Sequence, residues 1–369
     1  MDSKAYETRV SNLRRLMEAD GVGGYITTAS RNLYYFAGFY EDPDPRYLGL
    51  FIPVTGEPIL VVNDLYATQI REESWIPSVI TWSDGEEPLD KLAKAIKDSG
   101  LGGAKFAVDD SMWSTFLLKL QARLPQAKFV PGGDYMSVLR RLKSNEEKEY
   151  MMYIGAATDK VMDMAIAAVR PGVTELSVSD VIDRGFKELG VSSSGRNAVV
   201  GSGVYSAQPH YRATDKVIQR GDSVVLDFGG FWRLYKSDMT RTVFVGKPDA
   251  EYVKIYDIVR KAQEATVDSI KPGMTCQDVD RIARKIIEDA GYGQYFIHRT
   301  GHGIGLEGHE EPSMVEGNTL VVDPGLTFSV EPGIYIPGRY GVRIEDCVIV
   351  TDTGCERFTN YSRDLVIID

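Results

Sequence analysis

The sequence predicts two domains: an α/β domain over residues 1–133, followed by an α+β domain with internal pseudo-twofold symmetry over residues 134–369. Three observations support this prediction. At 369 residues, the chain is longer than the size at which a single hydrophobic core usually stops growing. Helical and strand-like patterns alternate in its first third, which is typical of α/β domains. A Pro-Gly motif and a pair of acids each occur twice in the remainder.

The first domain begins with an amphipathic segment, and apolar strand-like segments follow it. The glycine of Thr55-Gly-Glu57 indicates a turn between two of these segments, which predicts a hairpin. Residues 1–130 contain no histidine, no cysteine and no phosphate-binding glycine loop, so we expect this domain to cap a pocket or to form a subunit contact. Pro131-Gly-Gly-Asp134 is the predicted linker. The predicted elements are a helix over residues 5–19 and strands over residues 24–28, 48–54 and 58–62.

The charge and the composition exclude several classes of partner. The net charge is −11 and the sequence has no basic stripe, which argues against nucleic acid and against anionic membranes. The first 21 residues alternate charged and apolar residues, so they match neither a signal peptide nor a membrane span, and we expect a cytoplasmic protein. The three cysteines form no C-x-x-C motif, which predicts free thiols.

The second domain contains an apparent duplication. A capping box at Ser144 and Glu147 predicts the start of a long helix that ends near Arg170. The motif at residues 169–174 recurs in type at residues 270–275, roughly one hundred residues later, and each copy separates two predicted helices. Two pairs of acids repeat with nearly the same shift. Together these spacings predict two equivalent half-domains that face one site.

The repeated acids are Asp227 with Asp238, and Glu331 with Glu345. Each pair lies in apolar segments that predict an antiparallel hairpin, in which facing Cβ atoms are ~5 Å apart. Burying four carboxylates together is costly unless cations balance their charge. Two divalent ions would do so. The predicted strands cover residues 223–229, 236–245, 326–334 and 342–350.

A single acid of this set has a simpler interpretation. Each one alone could cap a turn or form a salt bridge with Arg241 or Arg343. The metal hypothesis gains its weight from the group of four and from a loop that holds three of the four histidines of the chain, between residues 298 and 312. His302 lies between two glycines, where the backbone allows a ligand to approach closely. The same loop fits a dinucleotide G-x-G-x-x-G pattern, but no apolar strand leads into it.

Six motifs between roughly residues 200 and 350 resemble those of the pita-bread metallopeptidases, which include methionine aminopeptidase, aminopeptidase P and prolidase. The separate N-terminal domain is similar to that of the prolidase, aminopeptidase P and creatinase branch. The resemblance implies a creatinase-like first domain and a pita-bread catalytic domain. One departure is Leu234, where many relatives have glycine. The motifs are Val-Leu-Asp227-Phe-Gly, Tyr235-Lys-Ser-Asp238-Met-Thr-Arg-Thr, Gly301-His302-Gly-Ile-Gly, His309-Glu-Glu-Pro, Val330-Glu331-Pro-Gly-Ile-Tyr and Arg343-Ile-Glu345-Asp.

The resemblance also implies roles for individual residues. Asp238 and Glu345 would bridge two divalent ions, and Glu331 would also move a proton. His309 and His210 would be catalytic, and His298, Tyr211 and Arg343 would contact substrate. An oxygen-rich set with one imidazole suits Mn(II), and Co(II) or Zn(II) are alternatives. The implied metal ligands are Asp227, Asp238, His302, Glu331 and Glu345.

The implied function is hydrolysis of Xaa-Pro bonds in small proline-containing peptides by a metal-bridging hydroxide, in a prolidase-like dipeptidase that forms a homodimer. One alternative is an aminopeptidase P that acts on longer Xaa-Pro peptides. Others are a non-catalytic pita-bread binding protein and the hydrolysis of a non-peptide amide. A dipeptidase must recognise a free carboxylate, and Arg212, Arg299, Arg339 or a residue of the first domain are the candidates.

Overall fold

The computed structural model describes residues 3–193 and 198–369. The chain divides into two compact units, Met1–Arg140 and Arg141–Asp369. The division predicted from the sequence, between residues 133 and 134, lies earlier because residues 133–140 form the last helix of the first unit. No helix in the described part of the chain is long and apolar enough to cross a membrane.

The first unit is an α/β domain with one six-stranded mixed sheet, in the order β4-β3-β2-β1-β5-β6. β1 pairs antiparallel with β2 and parallel with β5, so the chain crosses back through helices on the faces of the sheet. The predicted hairpin forms between β2 and β3. The elements are α1 (Ser3–Ala19), β1 (Gly24–Thr28), α2 (Arg31–Ala37), β2 (Gly49–Pro53), β3 (Ile59–Asn63), α3 (Ala67–Glu73), β4 (Ser78–Trp82), α4 (Pro88–Asp98), β5 (Lys105–Val108), α5 (Ser114–Arg123), β6 (Lys128–Pro131) and α6 (Gly133–Arg140).

The described part of the second unit is an α+β arrangement of four α-helices and small sheets, whose strands are antiparallel except for the parallel pair β12 and β20. The capping box at Ser144 and Glu147 is present and begins the longest helix of the unit. Its elements are α7 (Asn145–Ala168), α8 (Glu175–Glu188), β7 (Ser192–Ser193), β8 (Val199–Ser202), β9 (Ser223–Phe228), β10 (Gly230–Trp232), β11 (Tyr235–Lys236), β12 (Met239–Val245), α9 (Ala250–Ser269), α10 (Cys276–Asp289), β13 (Gly301–Gly303), β14 (Glu310–Met314), β15 (Thr327–Val330), β16 (Gly333–Ile336), β17 (Tyr340–Arg343), β18 (Asp346–Val350), β19 (Cys355–Arg357) and β20 (Val366–Ile368).

The duplication seen in the sequence is also present in the order of elements. The first half has two helices, α7 and α8, and neighbouring antiparallel strands in the order β8-β9-β12; the second has α9 and α10, and β13-β15-β18. Thr174 and Thr275 each cap the second helix of their half. Each also forms an isolated β-bridge, to Val217 and Val321 respectively. The second unit is therefore built from two copies of one arrangement.

The acids of interest lie at or beside interruptions of the strands, which corrects the prediction of continuous hairpins. Asp238 lies between β11 and β12, Glu331 between β15 and β16, and Glu345 between β17 and β18. Asp227 lies within β9, but the residue opposite it is Thr240 and not Asp238. These breaks interrupt the regular strand pairing next to Asp238, Glu331 and Glu345, so the side chains of both halves can converge.

The hairpin turn between β10 and β11 contains the residue that departs from the family pattern. Arg233 and Leu234 occupy its two central positions with φ angles of 47° and 68°. Such left-handed conformations favour glycine, because a side chain crowds the backbone there. Leu234 is accommodated at a strained position of a turn, and it leaves the acids on either side in place.

Candidate functional site

A cavity of about 320 Å³ lies within the second unit. It collects residues from both halves of the duplication, including all four repeated acids and all four histidines. These acids and histidines are the lining side chains that could bind a metal ion. The lining residues are Ala198, Val199, Pro209, His210, Asp227, Phe228, Gly229, Lys236, Ser237, Asp238, His298, Arg299, His302, Gly308, His309, Glu331, Arg343 and Glu345.

Three of these side chains form a compact group that could hold a cation. One ligand atom each from Asp238, His302 and Glu345 lies within 4.8 Å of the other two. Asp227 and Glu331 line the same cavity. The structure thus brings together the five residues that the sequence analysis predicted as metal ligands.

His302 is held in a fixed orientation by its neighbours. Its Nδ1 lies 3.1 Å from the carbonyl oxygen of Gly303, and its backbone N–H donates to Ser329 Oγ over 3.0 Å. If Nδ1 donates to this carbonyl, Nε2 is the nitrogen that faces the acids, and it lies 3.2 Å from Glu331 Oε1. A backbone partner on one ring nitrogen is the usual way in which a protein orients a histidine ligand.

Glu345 carries the clearest sign of an absent partner. Its Oε2 accepts a hydrogen bond of 2.6 Å from Thr240 Oγ1. Its Oε1 is buried and has no hydrogen-bond partner among the described residues. Because a buried carboxylate oxygen without a partner is strongly unfavourable, this atom is suited to a cation in the cavity.

The acids are electrostatically incompatible with one another in the absence of cations. Burial, followed by the charge of Asp227, raises the pKa of Asp238 to about 8. Burial and the charge of Asp238 raise the pKa of Glu345 well above its usual range. Burial also opposes ionisation of Glu331, but its hydrogen bond with His302 and the nearby charges of His302, His298 and Arg343 together outweigh this and lower its pKa to about 2. Without cations, protons must therefore neutralise part of the acid cluster. Divalent ions could balance the charge instead, because carboxylate oxygens and one imidazole are suitable ligands for them.

Asp227 does form the salt bridge that the simpler interpretation allowed. Its Oδ2 accepts a hydrogen bond from Arg343 Nη2. The same guanidinium donates to Thr240 Oγ1 and to Tyr335 Oη, at 3.1 and 2.9 Å. Arg343 is thus fixed in the wall of the cavity, beside acids from both halves of the duplicated unit.

Arg241 behaves differently, because it does not contact any of the four acid side chains. Its guanidinium donates to Asp346 and to the carbonyl oxygens of Thr240 and Glu345, and both charged side chains are almost completely buried. Thr240 and Glu345 also form an isolated β-bridge between the two halves. Arg241 therefore links the backbone of Thr240 to that of Glu345 and forms no ion pair with the four acids.

The remaining histidines also line the cavity. His298 Nε2 lies 2.9 Å from Tyr335 Oη, and its Nδ1 lies 2.7 Å from the carbonyl oxygen of Arg299. Burial lowers the pKa of His298. The rings of His302 and His309 are stacked with centroids 3.8 Å apart. Loss of solvation, together with this neighbour, lowers the pKa of His309 to about 4.

Tyr211, predicted to contact substrate, is not among the residues that line the cavity. Its hydroxyl donates to Glu175 Oε2 over 2.9 Å, and its ring stacks on that of Tyr205. Tyr211 therefore helps to position the start of α8. The sequence analysis missed Thr240, Ser329 and Tyr335, which orient the charged residues through hydroxyl groups.

Changing Tyr335 to phenylalanine is expected to lower kcat/KM by about tenfold to a hundredfold, as for other residues that orient an active-site group. The hydroxyl links Arg343 to His298, and its loss leaves the imidazole without that partner. Steady-state kinetics on an Xaa-Pro dipeptide, the substrate that the family resemblance implies, will measure the effect, with thermal unfolding as a check of folding. Tyr340 to phenylalanine is the matched control, since the Tyr340 hydroxyl is buried and forms no hydrogen bond with the described residues. An equal loss in both variants would contradict a specific role for Tyr335.

A duplicated α+β unit that lines one cavity with four acids and four histidines is suited to metal-dependent catalysis. Residues 149–352 match the model of metallopeptidase family M24, and residues 9–142 match the creatinase/prolidase N-terminal domain. The chain belongs to metallopeptidase family M24, with the N-terminal domain of its creatinase and prolidase members.

Relatives support the same assignment over the full length. The chain is 36% identical to an Xaa-Pro dipeptidase of Lactobacillus delbrueckii subsp. lactis, with 97% of this chain and 98% of that protein covered. A prolidase structure from Thermococcus sibiricus matches with a TM-score of 0.94 at 34% identity, covering 100% of both chains. An X-Pro aminopeptidase structure from Thermotoga maritima matches with a TM-score of 0.86 at 28% identity, covering 97% of this chain and 99% of that one.

Proposed function

We propose that this metallopeptidase is a dipeptidase that hydrolyses Xaa-Pro bonds. The observation that carries the proposal is the buried, unpartnered Oε1 of Glu345 beside Asp238 and His302, in a cavity lined by two further acids. The similarity to an Xaa-Pro dipeptidase over 97% of the chain supports the choice of substrate.

The proposed cofactor is a pair of divalent ions, with Mn(II) favoured because most of the donors are carboxylate oxygens. Bound there, such ions supply the Lewis acidity that activates water and polarises a scissile carbonyl. In their absence, interaction with Glu331 raises the pKa of His302 despite the opposing effect of burial. Binding would thus displace protons from the site, as is usual for metal ligands. The proposed ligands are Asp227, Asp238, His302, Glu331 and Glu345.

The chain itself supplies a proton acceptor and hydrogen-bond donors. Glu331 Oε1 is engaged by His302 and Ser329, whereas Oε2 accepts no hydrogen bond from the described residues, so we assign proton transfer to Oε2. His309, whose pKa is about 4, is neutral at neutral pH and can donate an N–H to the developing oxyanion. His210, which lines the same cavity, is the second donor that we propose.

The preference for proline follows from the chemistry of the bond. An Xaa-Pro bond has no N–H, so an enzyme that grips its substrate through backbone hydrogen bonds loses a contact there. The cavity is small, about 320 Å³, which suits a short peptide. His298, whose ring packs edge-on against Phe296, and Arg343 are the residues that we place beside the proline ring.

An aminopeptidase P that acts on longer peptides is the second candidate. The similarity to the Thermotoga maritima X-Pro aminopeptidase favours it, but at a lower TM-score and identity than the prolidase match. A non-catalytic binding protein is the third. The retention of all five predicted ligands in one cavity argues against it.

Hydrolysis of Ala-Pro, Ala-Pro-Ala and Ala-Ala by the Mn(II)-loaded protein tests the proposal. We expect strong turnover of Ala-Pro, weak turnover of Ala-Pro-Ala and least of Ala-Ala. Strong turnover of the tripeptide would contradict the dipeptidase proposal and support aminopeptidase P activity. Less than one ion per chain after loading, with no gain in activity, would favour the binding protein.

Three further predictions stay open to direct measurement. The homodimer rests on the family resemblance, and light scattering coupled to size-exclusion chromatography will test it. A cytoplasmic location is a proposal as well, and fractionation of the native host will test it. The choice of Mn(II) over Co(II) or Zn(II) will be tested by the activity regained after each metal is added to the metal-free protein.

A further inference from the structure

His210 has no side-chain partner that would fix its position. It lines the cavity, but its side chain is exposed and forms no hydrogen bond with the described residues. It lies in the loop between β8 and β9, and such loops are usually more mobile than the elements that they connect. A group that donates to a reacting atom must be held in a productive geometry. The contacts of the residues around His210 therefore decide where its imidazole lies.

The two residues that flank His210 are each held by a hydrogen bond. The carbonyl oxygen of Pro209 accepts a hydrogen bond of 3.2 Å from Arg343 Nη1. On the other side, Tyr211 Oη donates to Glu175 Oε2 over 2.9 Å. Arg343 belongs to the wall of the cavity, whereas Glu175 is the first residue of α8 and does not line the cavity.

Glu175 binds both ends of the loop that carries His210. Its side chain is completely buried. Its Oε1 accepts hydrogen bonds from the backbone N–H and the hydroxyl of Ser202, at 2.9 and 2.6 Å. Its Oε2 accepts from the backbone N–H and the hydroxyl of Thr214, both at 3.1 Å. One acceptor-only group thus joins the residue before the loop to the residue after it.

The second half of the unit contains a corresponding arrangement. Asp280 of α10 is also completely buried, and its Oδ1 accepts from the backbone N–H of Thr300 over 2.9 Å. Asp280 also pairs with Arg284, which donates to the carbonyl oxygen of His298 over 2.9 Å. In each half, therefore, a buried acid on the second helix holds the loop that carries a histidine of the cavity.

We propose that Glu175 is a positioning residue of the enzyme, because it fixes the loop of residues 203–213 so that His210 can donate to the substrate. The inference rests on the role proposed for His210 in the hydrolysis of Xaa-Pro bonds. Glu175 does not reach the cavity, so it acts only through the loop. A neutral amide in its place would turn donors toward other donors, and the imidazole would lose the support of its loop.

A double-mutant cycle with His210 tests the proposal in the Mn(II)-loaded protein. Glu175→Gln is expected to lower kcat for Ala-Pro by about tenfold to a hundredfold, as for other residues that orient an active-site group. KM and metal content should change by less than about twofold. In the His210→Ala background, the same substitution is expected to lower kcat by less than about threefold, because the imidazole through which it acts is absent.

Tyr211→Phe is a milder variant, because it removes one hydrogen bond of Glu175 and leaves the buried carboxylate in place. It is expected to lower kcat by about threefold to tenfold, and to lose this effect in the His210→Ala background. If Glu175→Gln does not fold, the cycle with Tyr211→Phe decides the proposal by the same criterion.

Asp280→Asn is the matched control, because it changes the corresponding buried acid of the other half. Its effect on kcat is expected to be the same with and without His210, since it acts on a different loop. A readout independent of turnover is provided by the ring resonances of the four histidines in the Zn(II)-loaded protein with isotope-labelled histidine. Glu175→Gln should shift the resonance of His210 and leave that of His298 in place, and Asp280→Asn should do the reverse.

An equal loss of kcat from Glu175→Gln with and without His210 would overturn the inference, because it would indicate a general structural role. A loss of bound metal in Glu175→Gln or a normal kcat in His210→Ala would also overturn it. A wild-type protein that does not cleave Ala-Pro would be a different result, since it would refute the proposed function itself. The His210 resonance would then still show whether Glu175 holds the loop.

Discussion

Replacing Asp238 by alanine is expected to lower kcat for Ala-Pro at least a thousandfold, which corresponds to about 4 kcal/mol of lost transition-state stabilisation. Asp238 belongs to the compact group with His302 and Glu345 in which the ligand atoms lie within 4.8 Å of one another. Asp238 would help to hold the divalent ions, so its removal would weaken their binding. Steady-state kinetics and metal analysis of the same samples will measure the two effects.

The matched control is Glu188→Gln, which removes one exposed acid of α8 and should leave kcat and metal content unchanged. A conservative variant, Asp238→Asn, keeps the volume of the side chain and separates the loss of charge from any loss of packing. A near-normal kcat in both Asp238 variants would contradict the proposed metal-dependent mechanism. Loss of kcat with an undiminished metal content would instead give Asp238 a role other than metal binding.

The metal-free protein is expected to become less stable as the pH rises from 6.5 to 8. The pKa of Asp238 in the folded protein is about 8, above its ordinary value of 3.8. The folded state therefore holds a proton that the unfolded state has lost, and the stability this provides disappears as the pH rises through 8. Glu345 and His302, whose pKa values are also raised, act in the same direction.

The groups with lowered pKa values do not reverse this trend above pH 6.5. Glu331, with a pKa of about 2, contributes its full stabilisation above 4.5, so its contribution is constant in this interval. The lowered pKa of His309 changes the stability mainly below its ordinary value of 6.5. The net loss is expected to be about 1 to 2 kcal/mol, or a fall in Tm of several degrees.

Thermal unfolding of the protein after removal of metal by chelation will measure this fall. Mn(II) should reduce it, because cations then balance the charge that protons had balanced. Asp238→Asn without metal should show a smaller fall and, at pH 8, a higher Tm than the wild-type protein without metal. A Tm of the metal-free wild type that is constant or rises from pH 6.5 to 8 would refute the electrostatic account of the site.

The order of elements and the candidate ligands were predictable from the sequence because both depend on local patterns. The capping box at Ser144 and the strand at Gly24–Thr28 depend on neighbouring residues alone. The repeated Pro-Gly motifs indicated the duplication, which is present as two copies of the same strand order. An acid within an apolar segment is unusual, so Asp227 and Glu331 could be recognised as candidate ligands from the sequence alone.

Residues that act through distant contacts were not predictable in the same way. Thr240 lies about a hundred positions from Glu345, and the hydrogen bond between them exists only because β12 meets the break between β17 and β18. The link from Arg343 through Tyr335 to His298 likewise requires the packing of separate strands. Tyr211 was misplaced for the opposite reason, because it adjoins His210 in the sequence while its side chain turns toward Glu175.

The two copies in the second unit are unequal in one respect. Strand β13 carries His302, whereas the strand at the same place in the first half, β8, runs Val-Val-Gly-Ser over residues 199–202 and has no imidazole. An ancestor of half the length that paired with itself would have enclosed a site with two chemically identical ends. After fusion the two copies could diverge, so that this strand carries an imidazole in the second half and none in the first.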